Sequence, residues 1–236
     1  MRRLKHKIIF VAIIAIPQIF PCMAQALTNH GAVAEYEHLM INALNRLPTV
    51  PVHTTLIITN SLGNSTVRGT VDIDPIDRKM ESDFVASGPY QPTMTIKNIE
   101  IDGTGYSYLN GKLMETRPYP FRIPTKGDIL ASYIQDVREI KSVTFDGKEL
   151  KGLYGVVEKN GVEKFESTVS GLSVGQILQR GGPIIQRMVF RIYFNPTTDH
   201  IHIIKLVEDC VQSGHAYQVN ETEKIYYGKA LHIAAP

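Results

Sequence analysis

His200 and His202 stand two residues apart, and Asp199, Asp209 and Cys210 nearby add further zinc-ligand types. On a strand, a two-residue step puts both rings on one face. An H-x-H pair alone suits a solvated strand face equally well, and that is the reading the pattern favours. Asp72 and Asp74 form a second same-face pair, but Pro75 follows and marks them as turn-forming, solvated carboxylates. Gly175 to Gly182 is glycine-rich yet lacks the Lys-Ser/Thr ending of a phosphate loop. No Gly-x-Ser-x-Gly elbow offers a nucleophilic serine. No acid and base converge, so the residues point away from an enzyme, and neither a cofactor nor a metal is expected.

The elements that would hold such residues begin after a leader. Arg2, Arg3, Lys5 and Lys7 precede the apolar run Ile8 to Ile16, and Ala24-Gln25-Ala26 supplies a small-x-small cleavage signal. This is the three-part layout of a secretory signal peptide, residues 1–26. The apolar run is shorter than the ~20 residues a membrane helix needs. Ile19-Phe20-Pro21-Cys22 stands where a bacterial lipobox would, but Pro21 occupies a position that calls for a small residue. Cleavage after Ala26 is therefore expected over lipid anchoring through Cys22, giving a periplasmic protein of one domain, residues 27–236.

The 236-residue chain carries 25 basic and 23 acidic residues. The leader takes four of the basic ones, leaving a mature chain with 21 against 23 and no basic patch for nucleic acid. With Cys22 in the leader, Cys210 has no disulfide partner and reads as a small buried hydrophobe.

The spacing of Val33, Tyr36, Leu39, Met40, Ala43, Leu44 and Leu47 predicts an amphipathic helix over 32–47, ended by Pro48 and Pro51. From His53 the period becomes two. Strands are predicted at 53–60, 66–74, 78–86, 93–101, 105–109 and 112–116, with tight turns at Asp102-Gly103 and Asn110-Gly111. A helix is predicted over 127–137. Strands follow at 142–145, 150–158 and 162–169, with turns at Asp146-Gly147 and Asn160-Gly161. A second short helix is expected at 172–179, closed by Gly181-Gly182-Pro183. Strands at 184–194, 200–209, 215–221 and 229–234 complete the chain, with Asn195-Pro196 turning between the first two. The fold class is α+β: a strongly curved antiparallel sheet, a half-barrel of about ten strands. The N-terminal helix and one or two inserted helices cover its concave face.

Strict alternation gives such a sheet one wet and one dry face. A dry face that curls around helices leaves an apolar hollow, the kind of place where hydrophobic ligands bind. The lining residues expected from the inward sides of the strands and the inserted helices are Val71, Ile73, Phe84, Ile96, Ile129, Tyr133, Ile177 and Ile185. Ile177, Leu178, Ile184 and Ile185 flank the Gly-Gly-Pro break and could form a flap, or simply pack as a helix end.

Five segments carry a family resemblance: 43–58, Gly69 to Pro75, Ile101 to Lys112, Phe194 to Asp199, and the ending from Tyr227 to Pro236. With the order of helix, meander, inserted helix and hairpins, they resemble the LolA/LolB superfamily of lipoprotein carriers. The likeness is closer to the mycobacterial LppX/LprG lipid-binding group. The resemblance implies a half-barrel with a lipid-sized cavity and no catalysis, and it transfers no functional residues. The expected function is thus an exported carrier or sensor for a lipid, an acyl chain or a lipoprotein. The alternative is a periplasmic protein-binding module, either an immunity protein or an envelope-complex component, that takes no lipid.

Overall fold

The computed structural model describes residues 31–89, 91–119, 121, 133–163 and 183–234. The leader and the expected helix at 172–179 lie outside the described residues, as do Ile129 and Ile177. One helix, α1 (Gly31–Asn45), precedes eleven strands. They are β1 (Val52–Asn60), β2 (Ser65–Asp74), β3 (Lys79–Gly88), β4 (Gln91–Ile101), β5 (Thr104–Leu109), β6 (Lys112–Pro118), β7 (Ile134–Phe145), β8 (Lys148–Glu158), β9 (Ile184–Phe194), β10 (Ile201–Gln212) and β11 (His215–Tyr227).

All eleven belong to one antiparallel sheet in the order β6-β5-β4-β3-β2-β1-β11-β10-β9-β8-β7. Two meanders therefore meet at a single seam, where β1 pairs with β11. The sheet is open, because β6 and β7 form its two ends. A twisted sheet of this width curls instead of lying flat, and the result is a curved half-barrel. Local devices bend it. Bulges interrupt the pairing of β7 with β8 at two places and that of β9 with β10 at two more. Gly152 and Gly155 let neighbouring side chains lie against bare backbone, where an added Cβ would stand 2.8 Å from Ile140 and 2.7 Å from Ile134.

The hairpin dipeptides adopt the conformation their types favour. Asp102-Gly103, Asn110-Gly111 and Asp146-Gly147 all take positive φ at both positions, as a type I′ turn requires. Ser213-Gly214 does the same between β10 and β11.

The core lies where α1 crosses the inner face of the second meander. Met40 (0% exposed) and Ala43 join Leu153, Val157, Phe190, Ile192, Leu206 and Tyr217 in one cluster. Burying a side chain such as Met40 is worth about 1.5–3 kcal/mol. A smaller cluster of Leu150, Tyr193 and Ile203 sits on the opposite face.

Three sequence expectations are corrected. Residues 134–137 belong to β7 and not to a helix over 127–137, whose earlier part lies outside the described residues. Asn160-Gly161 sits in a short helical turn at 159–163, so the expected strand at 162–169 does not begin at Val162. Residues 229–234 form no strand. There Gly228 takes a φ of 75° and donates its N–H to the Pro51 carbonyl, beyond the last residue that β1 offers for pairing.

Candidate functional site

Strand register fixes which side chains share the inward face, the face that α1 covers in the second meander. Residues directly paired across antiparallel strands point the same way. Starting from the seam, one row runs Val52, Ile73, Met80, Glu100, Gly105, Arg117. The next runs Thr54, Val71, Ser82, Asn98, Ser107. The third is Leu56, Gly69, Phe84, Ile96, Leu109, and the fourth Ile58, Val67, Ala86, Met94.

Val71, Ile73, Phe84 and Ile96 thus fall in three adjacent rows of one face, and all four are half-buried. Alternation in β3 is clear: Ser82 and Ala86 are buried and Phe84 half-buried, while Asp83, Val85 and Ser87 between them are exposed. Gly69 makes room for Phe84, whose ring lies so close that a Cβ at residue 69 would collide with it and with the Asp83 carbonyl. The face is about four strands wide, with polar side chains in its first two rows and apolar ones in the third and fourth. From Val52 to Ile58 it runs about 20 Å along the strands.

Ile185 and Tyr133 lie elsewhere. Ile185, on β9, shares the inward face but is 2% exposed within the packed cluster. Tyr133 precedes β7, is half-buried and packs against that cluster.

The sequence reading passed over the polar residues of this face. Asn98 donates to the Ser82 hydroxyl at 3.2 Å. Glu100 is only 8% exposed, and among the described residues its Oε2 has no hydrogen-bond partner. Burial pushes its carboxyl up to about 7, against the pull of a hydrogen bond with Tyr119 and the charge of Arg117. Tyr119 is placed by its own N–H, which donates to the Gly103 carbonyl at 2.7 Å, and by Gly105, whose missing side chain leaves it space. The signal was present in β4: a two-residue step from Ile96 carries the same face to Asn98 and Glu100.

Of the residues first considered for chemistry, the two histidines and Asp72 are engaged by neighbours, while Asp74 forms its turn as expected. His200 stacks on Tyr227 with ring centroids 4.4 Å apart, and His202 meets Tyr227 edge-on at 5.3 Å. Both imidazoles are half-buried, and desolvation pulls both below the usual histidine value, with Arg46 adding to it at His200. His202 Nδ1 lies 3.1 Å from the Ile225 carbonyl. Asp72 is engaged with His53 at 2.5 Å, while Asp74 caps its turn by accepting from the N–H groups of Ile76 and Asp77. Among the described residues no group of three or more His, Cys, Asp or Glu could hold a metal ion. Cys210 is buried, and its thiol donates to the Glu208 carbonyl at 3.8 Å.

Two open hollows border other surfaces. One of about 360 Å³ lies on the outward side of β2 and β3, against Thr66, Arg68, Val85 and Ser87. One of about 440 Å³ lies at the end of α1, against Asn42, Asn45, Arg46, Leu47 and Asp199. Both have polar rims and neither borders the apolar rows. Among the described residues no helix is long and apolar enough to cross a membrane.

No family model matches the chain, and none of the curated proteins matches it. Among solved structures it is similar to the Mycobacterium tuberculosis lipoprotein LppX, at 9% identity and a TM-score of 0.49, over 87% of this chain and 100% of that one. It is similar to LprF from Mycobacterium bovis at 15% identity and a TM-score of 0.49, over 86% and 97% of the two chains. It is also similar to a chain of the Pseudomonas aeruginosa MucA/MucB complex, at 12% identity and a TM-score of 0.41, over 86% and 61%. LppX gives its name to the group that the sequence motifs resemble. At these identities and TM-scores the likeness is one of outline and says nothing of ligands. The half-barrel itself rests on the strand order.

Proposed function

We propose that this chain is an exported, non-enzymatic carrier or sensor that holds an acyl chain of a lipid or lipoprotein against the inward face of its first meander. The observation that carries this reading is the run of half-buried apolar side chains on β1 to β4. Leu56, Ile58, Val71, Ile73, Phe84 and Ile96 occupy adjacent rows of an open sheet. In the second meander the equivalent rows are filled by α1 and its cluster. Each methylene moved from water onto such a face contributes about 0.8 kcal/mol.

Organic extraction of the mature protein, purified from its envelope fraction, tests the reading by mass spectrometry. Co-purified lipid is expected, and the Ile96→Glu variant is expected to lose at least about nine-tenths of it, because a carboxylate would have to be buried beside the chain. Lipid-free protein with no affinity for acyl probes would overturn the reading.

A second reading, a protein-binding module of the cell envelope, draws on the end strand β6. Its Leu113 and Met114 are 47% and 59% exposed, an apolar edge of the kind that accepts a partner strand. Loss of a partner protein from the Met114→Lys variant, with lipid content unchanged, would favour this reading over the first.

A further inference from the structure

The inward face is not uniformly apolar. Its first row places Glu100 between Met80 and Gly105, with Arg117 the next residue beyond Gly105. Among the described residues one of its carboxylate oxygens finds no donor, although Glu100 is 8% exposed. A buried acceptor without a donor costs free energy, and a donor brought by a ligand would relieve that cost. The second row, one step along the strands, is also polar, with Ser82 and Asn98 hydrogen-bonded to each other. The third and fourth rows, with Phe84, Ile96 and Ile58, are apolar. Polarity therefore changes along the strands, as it does along an amphiphile.

We propose that Glu100 is a headgroup anchor, its Oε2 accepting a hydrogen bond from a hydroxyl of a neutral amphiphile whose chain runs toward Phe84 and Ile96. This rests on the carrier reading and assigns the class of headgroup within it. A neutral donor fits better than an ammonium. Arg117 already supplies positive charge to this carboxylate, and a second cation would be repelled by it. The same burial raises the Glu100 carboxyl to about 7.

Competition for a fluorescent alkyl probe, using 1-monooleoylglycerol, methyl oleate and oleylamine, tests the anchor. The three share a chain of the same length and differ in the head. The wild type is expected to bind monooleoylglycerol about tenfold more tightly than methyl oleate, the size of one hydrogen bond to a charged group. In Glu100→Met that ratio should fall to about one with methyl oleate binding retained. In Glu100→Gln, which keeps a neutral acceptor, it should be intermediate. Equal binding of the two esters by the wild type, or an unchanged ratio in Glu100→Met, would overturn the anchor and leave the carrier reading standing. Tighter binding of oleylamine than of monooleoylglycerol would overturn the hydroxyl assignment. Failure of all three probes to compete would overturn the carrier reading, and the anchor with it.

Discussion

At the scale of single residues, Glu100 has a consequence for stability that needs no ligand. Its carboxyl titrates near 7 in the folded protein against an ordinary 4.5. Below pH 4.5 both folded and unfolded chains carry the proton, and the group contributes no penalty. As pH rises from 4.5 to 7 the unfolded chain ionises first, so the folded state loses stability through that window and stays penalised above it. The shift corresponds to a loss on the order of 3 kcal/mol. Glu100→Gln, which carries no titratable proton, should remove this slope. The expected result is a variant more stable than the wild type at pH 8 and nearly equal to it at pH 4.5, measured by urea midpoints at both values. A wild-type midpoint that does not fall across the window would show that Glu100 is solvated in the folded protein.

At the scale of elements, α1 and β8 fit each other through a missing side chain. Met40 is fully buried, and a Cβ on Gly155 would stand 3.2 Å from its sulfur and 2.7 Å from Ile134. Gly155→Val should therefore push α1 off the sheet and cost about 1–3 kcal/mol. Met40→Ala, which leaves a void at the same spot, should cost about 2–5 kcal/mol. Thermal unfolding of both variants checks this, and a Gly155→Val protein as stable as the wild type would mean that α1 is not seated where described. The sequence made the first meander legible because its strands alternate regularly and its Asp-Gly and Asn-Gly turns fix the registers. β7 was illegible for a physical reason. Asp136 takes a φ of 53° at a bulge between Gln135 and Arg138. The extra residue lets Ile134 and Val137, three positions apart, both enter the core. That spacing is the mark of a helix, and nothing in the residue types tells the two apart. The inward polar group was hidden differently. Ile99 and Ile101 on the outward side of β4 are buried as well, so β4 has no clearly wet face, and apolar patterning alone could not single out Glu100.

At the scale of the whole molecule, everything depends on the seam. β1 and β11 are joined along nine residue pairs, from Val52 with Tyr227 to Asn60 with Val219, so the partners lie 159 to 175 positions apart in the 236-residue chain. Closing so long a loop must precede the gain from pairing, so such non-local contacts form slowly. The first meander is built from local hairpins, while in the second residues 159–183 separate β8 from β9. Among the described residues α1 packs into the inner face of the second meander, and the apolar rows of the first are half-buried. The first meander therefore borrows its order from the second through β1. A proline at Leu56, in the middle of β1, would break the ladder on a central strand. The expected outcome in Leu56→Pro is asymmetric: hydrogen exchange should show amides of β2 to β5 losing protection by at least about 100-fold, while β8 to β10 and α1 lose much less. Equal loss on both sides would mean the sheet unfolds as one cooperative unit. Loss confined to β8 to β10 would place the stable half in the first meander.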